Sequence, residues 1–314
     1  MSRPEVVASL HGSRPTQAQA RPGLWKAAIK WPMYVVAVMP ALVASGWLLG
    51  PGAADHSFHP LRLLLFLAAA ILLLAWENLA NDVYDADTGI DRHKAHSVVN
   101  LTGGRRDRVL GLANVCLLTG LALMAWLARL SDPRVFLLVL GCCALGYLYQ
   151  GPPFRLGYAG LGEPLCWLAF GPLATAAALL ALGGPLDPGL ATRLGAGPAL
   201  ATTLVLFCSH FHQVEEDLRH GKRSPVQRLG TARAAGLVPW WIALTLALEL
   251  APALERFWPA TVLLALAGLP AGVALMGLLR KHHDQPERIS HSKFLALRFL
   301  TLNGLGFSLG LALG

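Results

Sequence analysis

Apolar runs of membrane length recur along almost the whole chain, and no other feature limits its fold so strongly. Nine can be counted, at about 31–49, 61–79, 109–128, 134–150, 163–182, 198–211, 235–252, 259–279 and 294–313. About 20 apolar residues in a helix cross the hydrocarbon core of a bilayer. Within lipid the backbone must satisfy its own hydrogen bonds, so such runs fold as helices. Short length or an internal proline blurs the limits of the first, sixth and seventh. Hydrophobic residues make up 54% of the 314 and charged residues only 14%, against about 25% in a soluble domain. The connecting loops are short. The expectation is an all-α polytopic protein in a lipid bilayer, with one transmembrane domain over 25–314 and a disordered tail over 1–24.

The charges are sided. With nine alternating spans, the tail and the loops near 80–108, 151–162, 212–234 and 280–293, with their flanks, hold all but five of the 26 Lys and Arg. The exceptions are Arg62, Arg129, Arg134, Arg193 and Arg256. The positive-inside rule places the rich face and the N-terminus in the cytoplasm, with the C-terminus opposite. Orientation and an anionic substrate account for the net charge of +8, with no nucleic acid. The tail carries Pro4, Pro15, Pro22 and three arginines, and lacks the apolar core of a signal peptide. It is poor in acids, as transit peptides are, but its shortness favours a flexible cytoplasmic tail. Cys116, Cys142, Cys143, Cys166 and Cys208 all fall in apolar runs without paired spacing and read as small hydrophobes.

Against this background one stretch stands out: Trp76 to Arg105, WENLANDVYDADTGIDRHKAHSVVNLTGGR. It places Glu77, Asp82, Asp85, Asp87 and Asp91 at the end of an apolar run. Such carboxylates are costly to desolvate and need cations or water nearby. Glu77, Asn81 and Asp85 are spaced for one face of a helix, with Asn78 and Asp82 beside it. Thr88-Gly89 can turn the chain and bring Asp91 back. Hard oxygen ligands gathered this way suit Mg²⁺, which binds one or two carboxylates and completes its octahedron with water and phosphate oxygens. Arg92, Lys94, Arg105, Arg106 and Arg108 follow as candidates to hold an anion. A charged loop after a hydrophobic helix is ordinarily only solvated. Glu77 and Asn78 argue against that reading, because they lie inside the apolar segment.

A second stretch repeats the arrangement. After the run Ala199 to Cys208 comes HFHQVEEDLRHGKRSPVQRLG, His210 to Gly230. Gln213, Glu216, Asp217 and His220 have the spacing of one helix face, and Lys222, Arg223 and Arg228 follow. Two such clusters at one level of a bundle can converge on a cavity and hold two Mg²⁺ on a diphosphate. His212, Glu216 and His220 have a spacing that also suits zinc, although a polar helix end explains them equally. A third stretch, Tyr147 to Glu163, reads YLYQGPPFRLGYAGLGE and forms a tight re-entrant loop. Tyr149 or Tyr147 can turn a ring face towards a carbocation, although simple packing accounts for either.

These residues carry a resemblance. Asn81, Asp82, Asp85, Gly89 and Asp91 resemble the first aspartate motif of the UbiA superfamily of membrane prenyltransferases, nearest its MenA-type branch. Ser97-Val98-Val99-Asn100-Leu101 resembles the subgroup that makes phylloquinone. Asp217, Gly221, Lys222, Arg228, Leu229 and Gly230 are similar to the second motif, except that Gln213 stands where an aspartate is usual. Pro152, Leu156 to Tyr158 and Gly160 to Glu163 resemble the family's loop, and His291 to Leu302 and Trp25 to Met39 match more weakly.

The resemblance implies about nine helices around a central cavity and Mg²⁺-dependent prenyl transfer. Phytyl diphosphate would donate to 1,4-dihydroxy-2-naphthoate with loss of CO₂, in the plasma or thylakoid membrane of a photosynthetic bacterium. Asn81, Asp85, Asp91 and Asp217 would hold the Mg²⁺ on the diphosphate, supported by Asp82 and Glu216. Lys94, Lys222 and Arg228 would neutralise phosphate, and Tyr149 and Arg155 would face substrate. The fifth run, Cys166 to Leu182, would wall the isoprenoid tail. Chlorophyll synthases and homogentisate prenyltransferases are similar overall, but their first motif does not usually continue as T-G-x-D and S-V-V-N-L. A transporter also carries intramembrane acids, though nearer mid-membrane. Gln213 is the one hint of an idle scaffold. Protein partners are left open.

Overall fold

A computed structural model describes residues 22–90 and 94–314, so the expectations for the tail up to residue 21 and for Asp91 fall outside the described residues. Among the described residues every regular element is helical. Eight segments are long and apolar enough to cross a membrane, and a ninth, Arg134–Gln150, is shorter at 17 residues. The nine coincide in order with the nine apolar runs. This is an integral membrane architecture.

Four departures from the expected limits matter for the site. The first span is broken, because α1 (Pro22–Ile29) ends at Lys30, whose φ of 53° is left-handed. A 3₁₀ turn over Trp31–Tyr34 then leads into α2 (Val35–Leu49). Next, α3 (Pro60–Thr88) continues well past residue 79 and stops at Gly89, whose φ of 79° provides the left-handed C-terminal cap. The acids of the first stretch up to Asp87 therefore belong to the helix itself.

The fifth span divides into α7 (Gly162–Leu168) and α8 (Ala174–Leu182) around a wide π turn at Gly171-Pro172. A Cβ on Gly171 would stand 2.8 Å from that of Ala199, so only glycine lets the kinked span approach its neighbour. The sixth span, α9 (Pro188–His210), begins ten residues before the apolar run suggests, where Asp187 accepts a hydrogen bond from Leu190 N–H at 3.0 Å. Pro198 sits inside that helix, tolerated because neighbouring helices bury it.

One continuous core joins the bundle, with Met39, Leu179, Leu204, Phe207, Phe299 and Phe307 among its fully buried side chains. The last helix, α14 (Ser292–Leu313), packs along α2 and along a 3₁₀ segment, Ala260–Gly268. Gly304 is where its backbone meets the Met39 side chain, an instance of small residues letting membrane helices approach. Leu64, Leu118, Leu137 and Trp240 are exposed, as lipid-facing groups are. Deep in the bundle, Asn303 Nδ2 donates to Glu249 Oε2 at 2.6 Å and to Ala265 O at 3.2 Å. This pair joins α14 to α12 (Thr231–Leu254) and plays no part in the expected site.

Candidate active site

A cavity of about 1320 Å³ opens inside the bundle. The first six spans and the ninth line it; α12 and the eighth span, which ends in α13 (Leu269–His282), pack outside. Its apolar wall includes Phe66, Leu73, Met124, Val139, Phe170 and Val205. Of the fifth span, Cys166 to Ala174 contributes to this wall, while Thr175 to Leu182 is buried between helices. The expected tail-binding wall is thus the first half of that span only.

The polar end forms where α3, α6 (Arg134–Gln150) and α9 finish and α7 and α14 begin. Asn78, Asn81 and Asp85 face the cavity from α3, as the helical spacing requires, and Glu77 lies one turn deeper. Asp85 Oδ1 accepts from the Gln150 amide and from Tyr158 OH at 3.3 Å. Tyr158 OH also lies 2.9 Å from Thr88 Oγ1. Burial, and then the Asp85 charge, push the Tyr158 phenol up to about 12, so it remains a neutral donor.

Asp82 takes a different course. It is buried away from the cavity, and its Oδ2 accepts from Ser97 Oγ at 2.8 Å and Val99 N–H at 3.1 Å. It thereby fastens the short helix α4 (Val98–Leu101) onto α3. Of the bases after the first stretch, Lys94 reaches the cavity. Arg106 instead pairs with Asp87 through two contacts, of 2.7 and 2.8 Å.

The second cluster does not continue one helix. After α9 ends at His210 the chain bends through Phe211, which is fully buried against Phe207, before α10 (Val214–Arg219). The bend sends Gln213, Glu216 and Lys222 to the cavity and leaves Asp217 fully buried behind them. Asp217 Oδ1 lies 3.7 Å from Lys222 Nζ, and Oδ2 lies 3.8 Å from His210 Nδ1. Burial raises the Asp217 carboxyl above its usual range, against the pull of Lys222. His210 lines the cavity and also stands 3.5 Å from Glu163 Oε1. The zinc spacing is not assembled, because His212 Nε2 meets Ser292 Oγ at 3.1 Å and His220 Nδ1 meets Glu216 O at 3.0 Å.

The third stretch docks on the second. Arg228 Nη2 donates to Ala159 O at 2.6 Å and Arg223 N–H to Tyr158 O at 2.8 Å. Arg228 is therefore a clamp on the loop rather than a cavity residue. Arg155, with a left-handed φ of 44°, also lies off the cavity wall. Tyr149 does face the cavity, and a Cβ on Gly157 or Gly162 would stand 2.6 or 2.8 Å from its ring. Tyr147 turns outward against Tyr84 and donates to Pro152 O at 2.6 Å.

Lys26, Lys30 and Lys293 also line the polar end, and the sequence reading assigned them nothing. They lie at the margins of the first and last runs, in the two stretches that resemble the family only weakly and attach no role to a residue. Among the described residues no three His, Cys, Asp or Glu side chains stand close enough to hold a metal alone. Asn81, Asp85 and Glu216 nonetheless offer the hard oxygens a divalent ion takes when a substrate completes its shell. Asp217, fully buried with Lys222 and His210 beside it, adds carboxylate oxygens next to this set.

Residues 36–301 match the model of the UbiA prenyltransferase family. The chain is 43% identical over 297 residues to the 2-carboxy-1,4-naphthoquinone phytyltransferase of Synechocystis sp., covering 94% of this chain and 95% of that protein. It is 42% identical to the chloroplastic protein of the same name from Arabidopsis thaliana, covering 92% and 77%. A UbiA homolog from Archaeoglobus fulgidus, bound to GPP and Mg²⁺, shares the fold with a TM-score of 0.61 at 16% identity, covering 92% and 99%. In sequence and in fold alike, the chain belongs to the UbiA prenyltransferase family.

Proposed function

We propose that this chain transfers a phytyl group from its diphosphate to 1,4-dihydroxy-2-naphthoate, with loss of CO₂, in phylloquinone biosynthesis. The observation that carries the reading is the two-ended cavity, with Asn81, Asp85, Glu216 and Lys222 at one end and apolar walls beyond. Similarity to phytyltransferases along nearly the whole chain supports the choice of donor. The relatives' name cites the acceptor as the carboxynaphthoquinone. The reduced dihydroxy form is the electron-rich ring able to attack a cation, so we assign that form as the nucleophile.

Magnesium, when bound, supplies charge neutralisation to the leaving diphosphate. Asn81, Asp85 and Glu216 would hold it, with Asp217 behind them and Asp91 expected to join. Lys222 and Lys94 add positive charge at the phosphate end. The allylic C–O bond breaks with its electrons going to the diphosphate, which preorganised cations favour. Apolar walls exclude water from the allylic cation, and the Tyr149 ring presents a π surface to it. The ring carbon bearing the carboxylate forms the new C–C bond. CO₂ then leaves, its bonding pair restoring the aromatic ring. The polar end and the N-terminus face the cytoplasm, in the plasma or thylakoid membrane of a photosynthetic bacterium, by the charge asymmetry.

The test is the purified protein with Mg²⁺, dihydroxynaphthoate and labelled phytyl or geranylgeranyl diphosphate. Prenylated, decarboxylated naphthoquinol is the expected product. Turnover only with a chlorin or homogentisate acceptor would overturn the reading.

A further inference from the structure

Lys293 is the second residue of α14, far in sequence from both acidic stretches, yet it lines the polar end of the cavity. It is half-buried and lines the same cavity as Lys94 and His212. Lys94 belongs to the segment after the first acidic cluster, and His212 lies one turn before Glu216 in the second. Lys293 therefore stands where the two clusters converge. The neighbouring helix start is fixed, because the fully buried Ser292 hydroxyl lies 3.1 Å from His212 Nε2.

Among the described residues Lys293 forms no ion pair with a carboxylate, and its Nζ lies 5.3 Å from the Phe294 ring centroid. With Lys94, Lys222 and His212 it brings basic groups to the polar end of the cavity, opposite the acids Asp85 and Glu216. A half-buried ammonium in that setting is stabilised by an anion arriving between the basic groups. In the prenyl-transfer reading the anion that would span the two acidic clusters is the diphosphate, which makes it the better partner for this position than the acceptor carboxylate.

We propose that Lys293 contacts the diphosphate of the prenyl donor and closes the phosphate site from the last helix. This rests on the prenyl-transfer reading above. The consequence is that α14 takes part in the site alongside the two motif segments. It neutralises charge on the leaving group without competing for the oxygen positions that the carboxylates and metal use.

The test is direct binding of phytyl thiolodiphosphate, an unreactive donor analogue, by titration calorimetry on the purified full chain in detergent with Mg²⁺. Steady-state KM for donor and for acceptor is measured in parallel. Lys293→Met should weaken analogue binding about tenfold to a hundredfold, as expected for a lost charge-assisted contact. It should raise the donor KM and leave the acceptor KM near wild type, and Lys293→Arg should restore most of the binding. Lys293→Gln keeps a polar side chain and should match Lys293→Met if charge is what matters, which separates the effect from misfolding. Unchanged analogue binding with a raised acceptor KM would overturn the assignment and give Lys293 to the acceptor carboxylate. Unchanged binding and kinetics would overturn it as well, while wild-type turnover left the prenyl-transfer reading standing. If wild type bound no analogue and made no product, that reading itself would fail.

Discussion

Asp217 and Lys222 stand 3.7 Å apart, and only the lysine reaches the cavity. The aspartate is fully buried behind it, against His210, while the adjacent Glu216 faces the cavity. The two neighbouring acids thus stand in different surroundings. Glu216→Ala should lower kcat and shift the Mg²⁺ dependence to higher concentration. Asp217→Ala should do both and also lower thermal stability, since it leaves the buried Lys222 without its partner. Losing a charged metal ligand costs on the order of several kcal/mol, each ~1.36 kcal/mol being about tenfold in rate. Wild-type kinetics and Mg²⁺ dependence in Glu216→Ala would remove it from the metal set.

Gln213 lines the cavity at the place where the family pattern has an aspartate. If Glu216 supplies the missing charge, Gln213→Asp should be tolerated, with kcat and Mg²⁺ dependence close to wild type. A large change in metal dependence would mean that the neutral amide is itself tuned to this site.

Asp82 is predicted to act through the fold. Asp82→Ala strands the Ser97 hydroxyl and the Val99 N–H that it now accepts. Roughly 1–3 kcal/mol of stability should be lost, seen as a lower Tm in detergent. Among molecules that remain folded, half-saturation by Mg²⁺ should stay unchanged. A shifted Mg²⁺ dependence at unchanged Tm would place Asp82 among the ligands instead.

The metal requirement is tested by removal. Turnover should stop in EDTA and return with Mg²⁺ or Mn²⁺, because the carboxylates otherwise repel the diphosphate. Full activity in chelator would sink the two-cluster arrangement.

If all nine apolar helices among the described residues cross the membrane, the termini lie on opposite sides. Tags at Met1 and Gly314 should report the N-terminus in the cytoplasm and the C-terminus across the membrane. Detection of both on one side would mean that a span, most plainly the 17-residue Arg134–Gln150, does not cross.

The sequence by itself determined the helical membrane class, the order of the nine spans and the helical face of Asn81 and Asp85. Each follows from local rules: apolar length, backbone self-satisfaction and the period of 3.6 residues. Tertiary structure decided which charges reach the cavity. Periodicity put Asp217 on the face of Glu216, but buried Phe211 bends the chain and turns the aspartate inward. Asp82 shares a helix with Asp85, yet a segment fifteen residues later claims it. Arg228 and Arg106 have the charge to bind phosphate and are spent on Ala159 and Asp87. Lys30 and Lys293 lie in stretches that resemble the family only weakly, and they come to the site because the first and last spans close the bundle there. The physical reason is common to all of these. A local pattern fixes direction relative to one helix axis, whereas burial and ion pairing depend on which other helix stands opposite.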